Sequence, residues 1–359
     1  MQIDDPDPQA LSTPEQVNVI LSQNQPGNEN DTPPAGNMPT PLQALLDEEQ
    51  EQTPPNGNGN GNNLFWRDPL ERFTDAPMPQ VHEAHPTSAF EFIDRELIGT
   101  WERYPGSKLI AIPFGNEVQE QSKHKYIRTK IFAAAADITR SQAIAVAAPA
   151  PNEKARKTRT TPMTFLIYKL DETQRETLLH RGVWSSTAIT FRVAPLTPSR
   201  PNFLFSISGL STGASEDVYN MVKTVWQDTQ SVAFYQSILA SRSDNERPST
   251  QLALQKFVDA MYIQRINTKI KGGILSPKFN VYTDTKDIHN HLAWSQIRNY
   301  LAKRTYKTTM LGQGSVMIAP HRCAICHGVD HPKGMCPFPE IPNWNGPVGQ
   351  MGAGAGQPN

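Results

Sequence analysis

All three cysteines of this chain fall within one short run, Cys323-Ala324-Ile325-Cys326-His327-Gly328-Val329-Asp330-His331-Pro332-Lys333-Gly334-Met335-Cys336. Read as ligands, Cys323, Cys326, His331 and Cys336 form the pattern C-x2-C-x4-H-x4-C. Two residues between the first pair let one tight turn present two sulfurs to one ion, and His331 and Cys336 close the loop from the other side. Three thiolates and one imidazole complete a tetrahedral Zn2+ site, and a site so closed has no position for substrate. So short a segment cannot build an apolar core, so metal binding is expected to supply its folding energy, on the order of 10–16 kcal/mol in finger peptides.

Cys323 to His327 also reads C-x-x-C-H, the attachment pattern of a c-type haem. That reading leaves His331 and Cys336 without a role, and the flanking Pro, Gly and Asn residues offer no apolar pocket. No apolar stretch after Met1 reads as an export signal. Zinc is therefore the expected cofactor, with His327 a spectator at the surface of the loop.

The segment resembles the CCHC zinc knuckles of retroviral and retrotransposon Gag-like proteins, and of the RNA-binding proteins of non-LTR retroelements. The run Cys336-Pro337-Phe338-Pro339 and Ile341 to Pro347 is similar to a fungal knuckle variant. The resemblance covers about twenty-five residues. It implies a zinc-folded module that grips single-stranded nucleic acid. The chain departs from the family at three places: Ala324 stands where an aromatic would stack on a base, Asp330 where a glycine precedes the histidine, and Pro332 where a hydrophobic residue follows it. Base stacking is worth about 1–3 kcal/mol, so Phe338 and Trp344 are the candidates to replace the missing platform.

The remainder of the chain must position this loop. Residues 1–63 contain no aromatic, cysteine, lysine or arginine, and 33 of them are Pro, Asn, Gln or Gly. Such a composition is expected to remain disordered. Thr40-Pro41-Leu42-Gln43 reads as the start of a short helix, and Leu64 to Leu70 as an apolar strap. Residues 1–86 hold 14 acids against 2 bases, and the remainder 21 against 32, so a formal charge of −1 hides an acidic arm on a basic body. A basic body suits a phosphate backbone, and the arm is a candidate for self-association or a protein partner.

Periodicity predicts a helical segment over 87–146, opened by a Ser88/Glu91 capping box and including a strand at 108–113 and a helix over 119–138. A basic linker is expected at 147–162, an α+β domain at 163–319, the zinc knuckle at 320–344 and a Gly-rich flexible tail at 345–359. Within 163–319, strands at Phe165, Ile189 and Phe203 and helices at Asp171 and Ser215 give the order of a ferredoxin-like, RNA-recognition-type layer. The RNP1 signature is absent. The fold class is thus an α+β body with a disordered acidic arm and a small zinc knuckle. Arg265, Lys269, Lys271 and Lys278 are expected to cluster beside the Gly272-Gly273 turn, and Arg298, Lys303, Arg304 and Lys307 near the end of a following helix. With Arg322, Lys333, Phe338 and Trp344 beside the ligands, these are the candidate nucleic-acid contacts.

No P-loop, H-E-x-x-H, G-x-S-x-G or G-x-G-x-x-G pattern occurs, so no enzyme class is indicated. No apolar run has membrane-spanning length, and reduced cysteines suit the cytoplasm or nucleus. The expected function is zinc-dependent binding of single-stranded RNA or DNA. The alternative is a protein-interaction module with a purely structural knuckle and an acidic docking arm.

Overall fold

A computed structural model describes residues 78–115, 121–197, 199–211, 214–240, 250–269 and 275–348. The expected helix at Thr40, the strap at Leu64 and most of the acidic arm lie outside these residues. Residues 78–86, assigned to the arm from composition, run along the folded body, where His82 is buried. Met78 and Val81 pack on the apolar cluster around the cysteines.

The first helix, α1 (Arg95–Arg103), is capped by Asp94, whose carboxylate accepts from the Glu96 and Leu97 amides. The Ser88/Glu91 box is not the start: Ser88–Phe90 is a single 3-10 turn. There follow β1 (Ser107–Pro113), α2 (His124–Thr139), β2 (Ala145–Ala147), α3 (Glu153–Thr158), β3 (Phe165–Leu170), α4 (Glu172–Arg181), β4 (Val183–Ser185) and β5 (Thr190–Pro195). A capping box between Asp171 and Gln174 opens α4. The expected linker at 147–162 thus contains a strand end and a helix.

These strands form one antiparallel sheet in the order β2-β3-β1-β5-β4. The pairing of β1 with β3 joins the two segments that the sequence reading separates at 147–162. Alternation sends Leu109, Ala111, Phe165, Ile167, Phe191 and Val193 to one core with Ile127 and Ile131 of α2 and Leu178 of α4. Tyr168 faces the other way, where it meets the edge of Tyr104 at 4.7 Å.

The second half contributes β6 (Phe203–Ser208), α5 (Ser215–Trp226), α6 (Thr229–Ala240), α7 (Thr250–Asp259), β7 (Tyr262–Lys269), β8 (Leu275–Tyr282) and α8 (His291–Ala302). The short strands β9 (Lys307–Thr308), β10 (Gly312–Gln313) and β11 (Ser315–Met317) follow. A second antiparallel sheet has the order β11-β6-β8-β7. Phe205, Ile207, Phe279 and Val281 pack there against Val222, Phe257, Trp294 and Leu301 of the helices.

The run of strands from Phe165 to Phe203 is therefore divided between two sheets. The second sheet runs strand, helical connection, strand, strand, helical connection, strand, and the first follows the same order with α3 added between β2 and β3 and β4 added at its edge. In each, the third strand lies between the first and second, and the last pairs with the first on its other side. No helix among the described residues is long and apolar enough to cross a membrane.

Candidate metal centre

The loop carrying the cysteines folds back on itself through backbone bonds. The Cys323 amide donates to the Gly328 carbonyl at 2.8 Å, and the His327 amide to the Cys323 carbonyl at 2.9 Å. The amides of Ile325 and Gly328 then point at the sulfurs of Cys323 and Cys326, each at 3.4 Å. His327 takes the left-handed bend, φ 66°. A Cβ on Gly328 would lie 3.2 Å from Asp330 Oδ1 and 3.3 Å from both Cys326 Sγ and His331 Cε1. The glycine displaced from its place beside the histidine is thus used against the ligands. Cys336 is delivered by the 3-10 turn Lys333–Met335.

The donor atoms of Cys323, Cys326, His331 and Cys336 all lie within 4.8 Å of one another, and all four residues are buried. With Zn–S about 2.3 Å and Zn–N about 2.0–2.1 Å, a tetrahedral ion sets sulfur and nitrogen about 3.6 Å apart. Cys326 Sγ and His331 Nε2 are 3.4 Å apart, which fits. Hydrogen bonding among the sulfurs holds the Cys323 thiol far below its ordinary value and pushes Cys326 far above. Three thiols cannot all ionise in so small a volume without a cation, and a Zn2+ ion would resolve that conflict by taking each as thiolate. With four protein ligands the ion would supply folding energy and leave no open position for catalysis.

Asp330 completes the centre. Its Oδ1 accepts from His331 Nδ1 at 2.8 Å, which leaves Nε2 for the metal. Its Oδ2 accepts from the Tyr282 hydroxyl at 2.9 Å, and its carbonyl from Asn280 Nδ2 at 2.7 Å. Burial opposes ionisation of Asp330, but the His331 bond and nearby His82 outweigh it and hold the carboxyl below its usual range. The residue that breaks the glycine pattern is therefore the orienting carboxylate of the ligand histidine. Its position directly before His331 is the signal that could have identified it. Tyr282 and Asn280, about fifty residues upstream, carry no such signal.

The loop is wedged between the two sheets. On one side the Gly115 amide donates to the Ile325 carbonyl at 2.8 Å, and His327 Nε2 lies 3.2 Å from the Pro113 carbonyl. His327 is thus a bridge to β1 and not a surface spectator. Burial, then Arg322 and Arg192, lower its pKa to about 4. Gly115 has φ +81°, and a Cβ there would meet Pro347 Cγ at 2.9 Å. Phe338 meets Phe114 edge to face at 4.9 Å and Trp344 at 5.3 Å. The Asn345 amide donates to Ser185 Oγ, so the start of the expected flexible tail is anchored. On the other side Val329 packs with Phe203 and Tyr282 of the second sheet.

This packing redistributes the candidate contacts. Phe338 is 0% exposed and has no face for a base, and Trp344 is half-buried against Phe338 and Phe114. Arg298 is buried, donating to the Ala84 carbonyl, with its guanidinium 4.5 Å from the Trp294 ring centre. Arg304 is paired with Asp228 and donates to Gln230 at 2.7 Å. Arg265 pairs in register with Phe279, and Lys278 with Ile266, so alternation puts these two cations on opposite faces of the second sheet. Arg265 Nε donates to Asn267. Lys269 ends β7, and Lys271 with the Gly272-Gly273 turn lies outside the described residues. Lys303, Lys307, Arg322 and Lys333 are exposed.

No protein-family model, curated protein or solved structure matches the chain.

Proposed function

We propose that this is a non-enzymatic, zinc-stabilised binder of single-stranded nucleic acid, RNA favoured, of the Gag-like, retroelement-derived type that its ligand spacing resembles. The observation that carries the reading is the union of a buried Cys3His group with a body built twice on one plan. The insertion of a third strand between the first and second in both antiparallel sheets supports a ferredoxin-like, RNA-recognition-type reading of the body.

The sheet faces turned away from the helices are largely covered, one by Tyr104 and its neighbours and the other by the metal loop. Contacts are accordingly assigned to exposed cations, Lys303, Lys307, Arg322 and Lys333, acting on phosphates. The zinc serves to hold the two halves together. In a compartment that keeps thiols reduced, cytoplasm or nucleus, its ligands stay free of disulfides.

The test is fluorescence anisotropy of the full chain with a labelled single-stranded RNA across a salt series. Log affinity should fall linearly with log salt, by about 0.7 per phosphate neutralised. Cys336→Ser should weaken binding by opening the junction. No binding at low salt would overturn the proposal. A second reading, a protein-interaction module with a purely structural zinc, draws support from Ala324 and from the complete burial of Phe338. Capture of a protein partner that persists in high salt and ignores RNA would favour it.

A further inference from the structure

Beside the metal loop lies a cleft of about 330 Å³, walled by the Glu83–Phe92 segment, β1, residues 161–164 and residues 319–329. That volume is at the lower end of the range for small-ligand sites, roughly 300–1,000 Å³. Phe92, Ile112 and Met163 give it an apolar lining. Its two acids are both engaged: Glu83 pairs with Arg192, and Glu91 with Lys154 at 2.6 Å. Arg322, exposed on the same wall, has no acidic partner among the described residues. The buried Nε of Arg192 and Nε2 of His321, also in the walls, have no hydrogen-bond partner among the described residues and are available to a polar group placed in the cleft.

We infer that this cleft receives one unpaired nucleotide, its base among Phe92, Ile112 and Met163 and its phosphate on Arg322. The inference rests on the proposed nucleic-acid function and gives it a location. It moves the base from the loop's own surface, where Ala324 offers no ring, to the seam between the loop and the first sheet. An apolar slot with one uncompensated guanidinium at its wall matches the two parts of a nucleotide, which pair stacking or apolar contact with charge.

The experiment uses the full-length, zinc-loaded chain and a labelled single-stranded RNA dodecamer containing 4-thiouridine. Arg322→Gln is expected to weaken binding about fivefold or more and to lower the salt slope by about 0.7, the loss of one phosphate contact. Ala319→Trp, which adds a ring at the mouth of the cleft, should weaken binding with the slope unchanged. Zinc content and melting temperature should stay at the wild-type values in both. Photo-crosslinks should map to peptides covering 88–92, 161–164 or 319–322. Wild-type binding that both variants retain, with crosslinks elsewhere, would overturn the inference and leave the parent reading standing. Failure of the wild-type chain to bind would overturn both.

Discussion

Replacing Asp330 by asparagine tests the metal centre through a residue that is not a ligand. The carboxylate accepts from His331 Nδ1 at 2.8 Å and from the Tyr282 hydroxyl at 2.9 Å, using one oxygen for each. Asparagine keeps a single acceptor oxygen and turns an NH2 toward the other donor. Loss of a hydrogen bond to a charged group costs about 1.5–3 kcal/mol. Outer-shell substitutions at metal sites cost about 10–100-fold in affinity, the same range. Asp330→Asn is therefore expected to raise the zinc Kd about 10–100-fold. Competition with a fluorescent zinc chelator at fixed pH measures this directly. Tyr282→Phe, which removes the hydroxyl donor to the same carboxylate, should also cost about 1.5–3 kcal/mol. Zinc affinity of Asp330→Asn within about threefold of wild type would refute the argument that this carboxylate orients His331.

Phe338→Ala should destabilise the zinc-loaded chain by about 3–5 kcal/mol in urea unfolding, because a fully buried ring leaves a cavity against Phe114 and Trp344. Arg298→Ala should cost about 1–3 kcal/mol of stability by the same measurement and leave RNA anisotropy unchanged, since its guanidinium serves Ala84 and Trp294. His124 is buried against Phe165, and its pKa is lowered by burial, with the Pro162 carbonyl opposing. A histidine held neutral contributes stability above its unfolded value near 6.5, and loses it as pH falls through the folded value. Wild type should therefore lose more stability than His124→Phe between neutral and acid pH, read from denaturant melts at saturating zinc. Parallel pH profiles would show that His124 is not the group responsible.

Several features were legible because they are local. C-x2-C needs only a tight turn, so the ligand set could be read from spacing alone, and the structure brings those four residues together. Hydrophobic alternation marked the strands at Ile189 and Phe203, and helical periodicity marked α2, α4, α5 and α8, because each pattern repeats within a few residues. The start of α1 was misplaced by several residues because Ser88 and Asp94 both suit a cap, and the chain satisfies Asp94.

What the residues themselves determined is thus the chemistry available: one Cys3His donor set, a basic body and strands with one apolar face. Tertiary structure decided how these are used. The division of the strands between two sheets follows from which edges pair, β1 with β3 and β6 with β8, across tens of residues. The role of Asp330 depends on Tyr282 and Asn280 arriving from the second sheet. The fate of Phe338 and Arg298 depends on the same long-range packing, since an aromatic or a guanidinium has identical local chemistry at a surface or in a core. Burial is set by what the rest of the chain places over a side chain, and no spacing within the segment encodes that.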